Sequence, residues 1–199
     1  MTAACLLIDY QNVHLSAWEC FTRYGTPVKE AQIHPVSFAN QTAKKRTETL
    51  GPVDITRIVL FRGIPNPRKE PTLNAVVTRQ HNAWRSDSRV EISSRPLRYL
   101  RDWPDRPAEE KGVDVLLAIT LVQSVLQDDA DVHLVASRDT DLLPAIELAQ
   151  KIRPGSVEIV SWFGQSDLSV AGVPNHVLGE AAYRASRDPR DYGAQVRRR

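Results

Sequence analysis

Apolar residues fall along this chain in two alternating rhythms. Short, nearly continuous runs at Ala4–Ile8, Ile55–Phe61, Val132–Ala136 and Val157–Trp162, with the smaller Arg89–Ser93, predict five β-strands. Strands that are apolar on successive residues need cover on both faces, as strands inside a parallel sheet do. Longer segments of helical character lie between them: Ile33–Leu50, Thr72–Arg85, Val113–Gln127 and Leu142–Ile152. Val113–Gln127 is apolar nearly all round, which predicts a deeply buried helix. This alternation predicts an α/β fold with a mostly parallel sheet of about five strands and right-handed crossovers. Ser94–Glu110, with Pro96, Pro104 and Pro107 among charges, reads as a long surface loop, and Gly164–Pro174 as another. Residues 1–185 read as one domain, followed over 186–199 by a basic, flexible tail ending in Arg197, Arg198 and Arg199.

Composition adds little until it is mapped. The chain has 199 residues, 42% hydrophobic and 25% charged, enough for one domain with a sizeable core. Its net charge of +2 hides an asymmetry. Residues 57–101 hold ten Lys/Arg against three Asp/Glu, and residues 102–147 hold three against eleven. A basic surface beside an acidic pocket suits a polyanion held over a metal site, although solvated mixed-charge faces give the same count. Cys5 and Cys20 have no metal-type spacing and suggest no disulfide framework. Neither a signal peptide core nor a stretch of ~20 apolar residues is visible, so the expectation is a cytoplasmic protein with no membrane partner.

The chemistry lies in the acids. In a parallel α/β sheet, strand ends and helix starts meet at one edge, where such folds bind ligands. Asp9 follows the first strand (LLIDYQN), Asp139 and Asp141 follow the fourth (LVASRDTDLL), and Asp114 opens the helix leading back to it (KGVDVLL). All four are expected at that edge. Singly, Asp139 or Asp141 also reads as a helix cap and Asp114 as a first-turn acid. Asp9, an acid closing a buried strand, has less of a packing role to play. Carboxylates gathered in this way repel, by about 4 kcal/mol per pair at ~4 Å and an effective dielectric of 20. They need a cation, protons or basic partners. Oxygen donors without Cys or His favour Mg²⁺ or Mn²⁺.

Three blocks, LLIDYQNV, KGVDVLLA and VASRDTDLLPAI, together resemble the NYN domain (LabA-like, DUF88) family of PIN-like nucleases, in the family's order and over roughly Leu6 to Ile152. The resemblance implies a PIN-like three-layer α/β/α sandwich and a metal-dependent endoribonuclease. It implies Asp9, Asp114, Asp139 and Asp141 as metal-binding, catalytic acids. Asn12 would orient Asp9 or a water, and Ser137 would support the pocket by hydrogen bonding. Lys111 would touch phosphate or balance the acids. Two positions depart from the pattern: Thr120 stands where many relatives have Asp, and Arg138 where many have Gly.

The expected reaction is hydrolysis of an RNA phosphodiester by a water activated on Mg²⁺ or Mn²⁺, leaving a 5′-phosphate and a 3′-hydroxyl. Arg62, Arg68, Lys69, Arg79, Arg95, Arg98 and Arg138 are the candidate phosphate contacts. Tyr99 and Trp103 are candidate stacking platforms, while Trp84 reads rather as core. His81, His133 and His176 form no ligand pattern and read as structural. A phosphatase of the haloacid dehalogenase type needs a second Asp where Gln11 stands. The remaining alternative keeps the fold but binds RNA or protein without cutting. A homo-oligomer is compatible with either.

Overall fold

A computed structural model describes residues 1–165 and 168–194. Six strands, β1 (Thr2–Asp9), β2 (Val53–Ile64), β3 (Val90–Pro96), β4 (Val132–Ala136), β5 (Val157–Trp162) and β6 (Asn175–Leu178), form one sheet. Every pairing is parallel, in the order β3-β2-β1-β4-β5-β6. The helices are α1 (Tyr10–Phe21), α2 (Pro35–Leu50), α3 (Pro71–Trp84), α4 (Val113–Gln127), α5 (Leu143–Ile152) and α6 (Glu180–Ser186).

Side chains alternate across each strand, so the apolar runs feed two cores. Leu6, Ile8, Ile58, Leu60 and Leu134 pack with Ala17, Phe38, Trp84 and Tyr183, the layer of α1, α2, α3 and α6. Leu7, Val59, Phe61 and Val135 pack with Leu117, Leu121, Ile146 and Ala149, the layer of α4 and α5. The result is a three-layer α/β/α sandwich. Among the described residues, no helix is long and apolar enough to cross a membrane.

The structure corrects several expectations. Among the described residues the sheet has six strands, one more than the five located in the sequence. β6, which includes the polar Asn175 and His176, was not among the expected strands; buried His176 meets Glu158 there at 2.6 Å. α1 follows Asp9 directly, with Val13 and Ala17 facing the core. α4 is not buried all round. Val113, Leu117, Leu121 and Val125 face inward, but Val115, Ile119 and Leu126 are 55, 58 and 65% exposed. Packing also runs past 185. Trp84 Nε1 donates to buried Asp188 at 2.8 Å, and the Tyr192 hydroxyl donates to the same carboxylate at 2.6 Å. Arg197, Arg198 and Arg199 lie outside the described residues.

Candidate functional site

Chain direction along the sheet reverses between β1 and β4: β2 and β3 lie on one side of β1, β5 and β6 on the far side of β4. Strand ends part there and leave a crevice at their carboxyl edge. Ile8 pairs with Ala136 in register, so the next residues, Asp9 and Ser137, flank the crevice.

Asp9 is only 8% exposed. One carboxylate oxygen accepts the Asn12 backbone N–H at 3.2 Å and caps α1. The other oxygen accepts the Ser137 hydroxyl at 3.1 Å. Ser137 Oγ in turn accepts the Asp139 N–H at 3.1 Å, and Asp139 Oδ1 accepts the Asp141 N–H at 2.9 Å. Asn12 Oδ1 accepts the Arg138 N–H at 3.1 Å. This chain of bonds fixes the turn after β4 against the start of α1.

A cavity of about 670 Å³ opens above this joint, with Asp9, Asp139, Asp114, Lys111, Arg138 and Glu110 in its wall. Asp9, Asp114 and Asp139 are thus brought together as expected from topology. Asp141 is exposed and outside the wall, at the start of the turn leading to α5. Thr120 is also outside it, its hydroxyl donating to the Leu116 carbonyl of its own helix at 2.8 Å.

Glu110 is the acid that sequence reasoning missed. Its Oε1 accepts the Gly63 N–H at 2.6 Å. With the Gln11 amide nitrogen turned toward it, Gln11 donates to both its oxygens at 2.9 and 3.1 Å. A Cβ at Gly63 would clash with Leu97 Cδ2 and lie 2.8 Å from Glu110 Cγ, so the packing of both side chains over this strand requires glycine. Glu110 sits in the charged run Glu109-Glu110-Lys111, which nothing local separates from a solvated loop. We predict that Gly63→Ala expels Glu110 from its seat and costs about 1–3 kcal/mol, measured by chemical denaturation. An unchanged midpoint would show that the loop yields freely.

Burial pushes the Asp9 carboxyl up to about 6, more than the Asn12 and Ser137 hydrogen bonds lower it; Glu110 and Asp139 add to the rise. Burial also holds Glu110 above the usual carboxylate range, against the Gly63 N–H and Arg62. The wall is short of positive charge, because Arg138 is paired with Glu19 at 3.0 Å.

Among the described residues, no three His, Cys, Asp or Glu side chains are close enough to hold an ion together. The acids ring a space instead of meeting at a point. That arrangement and its all-oxygen donors fit Mg²⁺ or Mn²⁺, since Mg²⁺ keeps several waters and is bound through one or two carboxylates.

The expected phosphate contacts divide. The Arg62 guanidinium lies 4.6 Å from the Tyr10 ring centroid and donates to Gln80 at 2.8 Å, a packing role for a half-buried side chain. Arg79 donates to the Tyr192 carbonyl at 2.8 Å. Lys69 covers the edge-to-face pair of Tyr99 and Trp103, 4.6 and 5.2 Å from the centroids. Arg68, Arg95, Arg98 and Lys111 are exposed. Arg95 lies beside Gly112, at the start of α4. Arg98 bridges Glu109, next to Glu110. A second cavity of about 570 Å³ shares Glu19 and Arg138 with the first and runs to Phe163. Trp84, His81, His133 and His176 are all buried.

The sequence matches no protein-family model and no curated protein. The fold is similar to the crystal structure of a protein of unknown function from Vibrio parahaemolyticus, with a TM-score of 0.55 at 15% identity over 89% of this chain and 92% of that one. At that identity the likeness speaks for the fold alone.

Proposed function

We propose that this chain is a metal-dependent endoribonuclease of the PIN-like NYN type. The observation that carries the reading is the buried Asp9 carboxylate, hydrogen-bonded through Ser137 to the turn bearing Asp139, in a cavity shared with Asp114 and Glu110. A folded protein tolerates such a cluster where a cation compensates it. Asp9 and Asp139 would hold Mg²⁺ or Mn²⁺, with Asp114 and Glu110 reaching it through water. When bound, the ion polarises a phosphate and lowers the pKa of its water. Lys111 and exposed Arg95 hold the RNA backbone at the rim, and Arg138 joins them on leaving Glu19. Such contacts give affinity with little sequence choice.

The second reading is an RNA-binding module that does not cut. The dispersal of the acids and the position of Thr120 favour it.

Single-stranded and structured RNAs incubated with Mg²⁺ or Mn²⁺ separate the two. The nuclease reading expects 5′-phosphate products, their loss with EDTA, and their loss in Asp139→Asn. Intact RNA that is nevertheless retained in a binding assay would establish the second reading. Cutting that survives both EDTA and Asp139→Asn would refute the assigned site.

A further inference from the structure

We infer, resting on the reading that this chain takes RNA, that the RNA is single-stranded and runs along α1, leaving the acidic cavity on the side of β5 and β6. This holds whether or not the RNA is cut. Three cavities adjoin one another along the helix. The acidic one meets the second, of about 570 Å³, at Glu19 and Arg138. The second meets a third, of about 470 Å³, at Phe21, where α1 ends. Twelve helical residues make this path about 18 Å long.

The walls change character along the path. The first holds the acids. The second is bounded by Phe163, the residue after β5, which is 70% exposed. β1, β4 and β5 are successive neighbours about 4.8 Å apart, so Phe163 stands about two strand spacings from Asp9 at the same edge. A bare aromatic ring at that distance is a platform for an unpaired base, whereas a duplex keeps its base faces stacked on one another. The third cavity is walled by Arg23, Arg184 and Arg187, with Glu30 as the acid among its lining residues. Tyr24, beside Arg23, is fully exposed.

Acids lie on the path too, but Glu19 is paired with Arg138 and Glu180 with Arg184. The second and third walls together hold four arginines against three glutamates. Among the described residues, Arg23 and Arg187 are in no ion pair, so the excess positive charge sits at the far end. Arg187 Nη2 donates to the Glu30 carbonyl at 2.9 Å, which holds the guanidinium without neutralising it. On the opposite side of the site, Lys69 already covers the Tyr99–Trp103 pair, and Arg62 and Arg79 are engaged within the fold. The path thus offers a strand a base platform and then two free guanidiniums for its phosphates.

Fluorescence anisotropy of a labelled oligouridylate of about ten nucleotides checks this, with Asp139→Asn protein in Mg²⁺ so that the nuclease reading leaves the RNA intact. The single strand should bind more tightly than a duplex of the same length. Phe163→Ala should weaken binding about five- to a hundredfold, the worth of one stacked base. Arg23→Ala with Arg187→Ala should lower the slope of log affinity against log salt by about 1.4, the share of two phosphates on a single strand. The same loss of charge at Lys44 and Lys151, exposed on α2 and α5, should leave the slope unchanged. Phe163, Arg23 and Arg187 are exposed, so the circular dichroism spectrum should stay that of the parent. A protein that binds the single strand but ignores both Phe163→Ala and the arginine pair overturns the path and leaves the RNA reading standing. So does one that binds the duplex equally well. A protein that binds neither RNA overturns the RNA reading, and the path with it.

Discussion

On the nuclease reading, Asp9→Asn is expected to abolish metal-dependent RNA cleavage and, in the same protein, to raise stability in metal-free buffer. The first effect is expected because Asp9 is the most buried acid of the cavity, and an amide removes the charge that would hold the ion. A loss of a thousandfold or more corresponds to about 4 kcal/mol of transition-state stabilisation. The second effect follows from burial. The folded Asp9 carboxyl lies at about 6, above its ordinary 3.8. The folded state therefore binds its proton more tightly than the unfolded chain does. Stability falls as pH rises through that interval, and above pH 6 the deficit is constant at about 3 kcal/mol. Asparagine keeps the cap on the Asn12 N–H and lifts the deficit. In EDTA at pH 7.5 the variant should be more stable than wild type by about 1–3 kcal/mol, and Mg²⁺ should raise the melting temperature of wild type only. A variant that is less stable, or that responds to Mg²⁺ as wild type does, would remove Asp9 from the centre of the site.

Glu158→Ala is expected to cost about 3–5 kcal/mol without touching the chemistry, a large part of the stability of a single domain. Glu158 lies in β5 between Arg46, which donates to it at 3.0 to 3.3 Å, and His176 at 2.6 Å. All three are buried. Removing the carboxylate strands the guanidinium, which keeps only carbonyl partners such as Gly51 at 2.8 Å. Burial raises the Glu158 carboxyl, but hydrogen bonds from His176 and Arg46 outweigh it and hold the group below its usual range. Its contribution is therefore present above the unfolded pKa and lost as pH falls through the folded one. Urea denaturation of the variant checks the size of the effect. A loss below about 1 kcal/mol would mean that Arg46 finds other partners in the folded state.

These two residues mark what the sequence could and could not disclose. Strand–helix alternation predicted the parallel sheet, and topology alone brought Asp9, Asp114 and Asp139 to one edge. Both depend on periodicity and chain direction, which are local. Glu110 depends on a missing Cβ at Gly63, 47 positions away, and on how a proline-rich loop folds back. Arg62 was misjudged because charge is visible in a sequence and an aromatic floor beneath it is not. α4 was misjudged because an apolar helix reads the same whether its second face meets its own domain or something else. Glu158 and His176 are buried in neighbouring strands where each satisfies the other, a pairing across 18 positions that no local pattern displays.

The Ser137–Asp9 hydrogen bond joins residues 128 positions apart. A ribosome releases the chain from its amino end, so Asp9 emerges long before its partners are made. The crevice exists only once β4 has settled beside β1, after residue 136 has been synthesised. Fragments that stop before Asp139 carry half a wall. On the nuclease reading, translation products that stop before Asp139 should not cut RNA, because the order of synthesis withholds the site until β4 has been made.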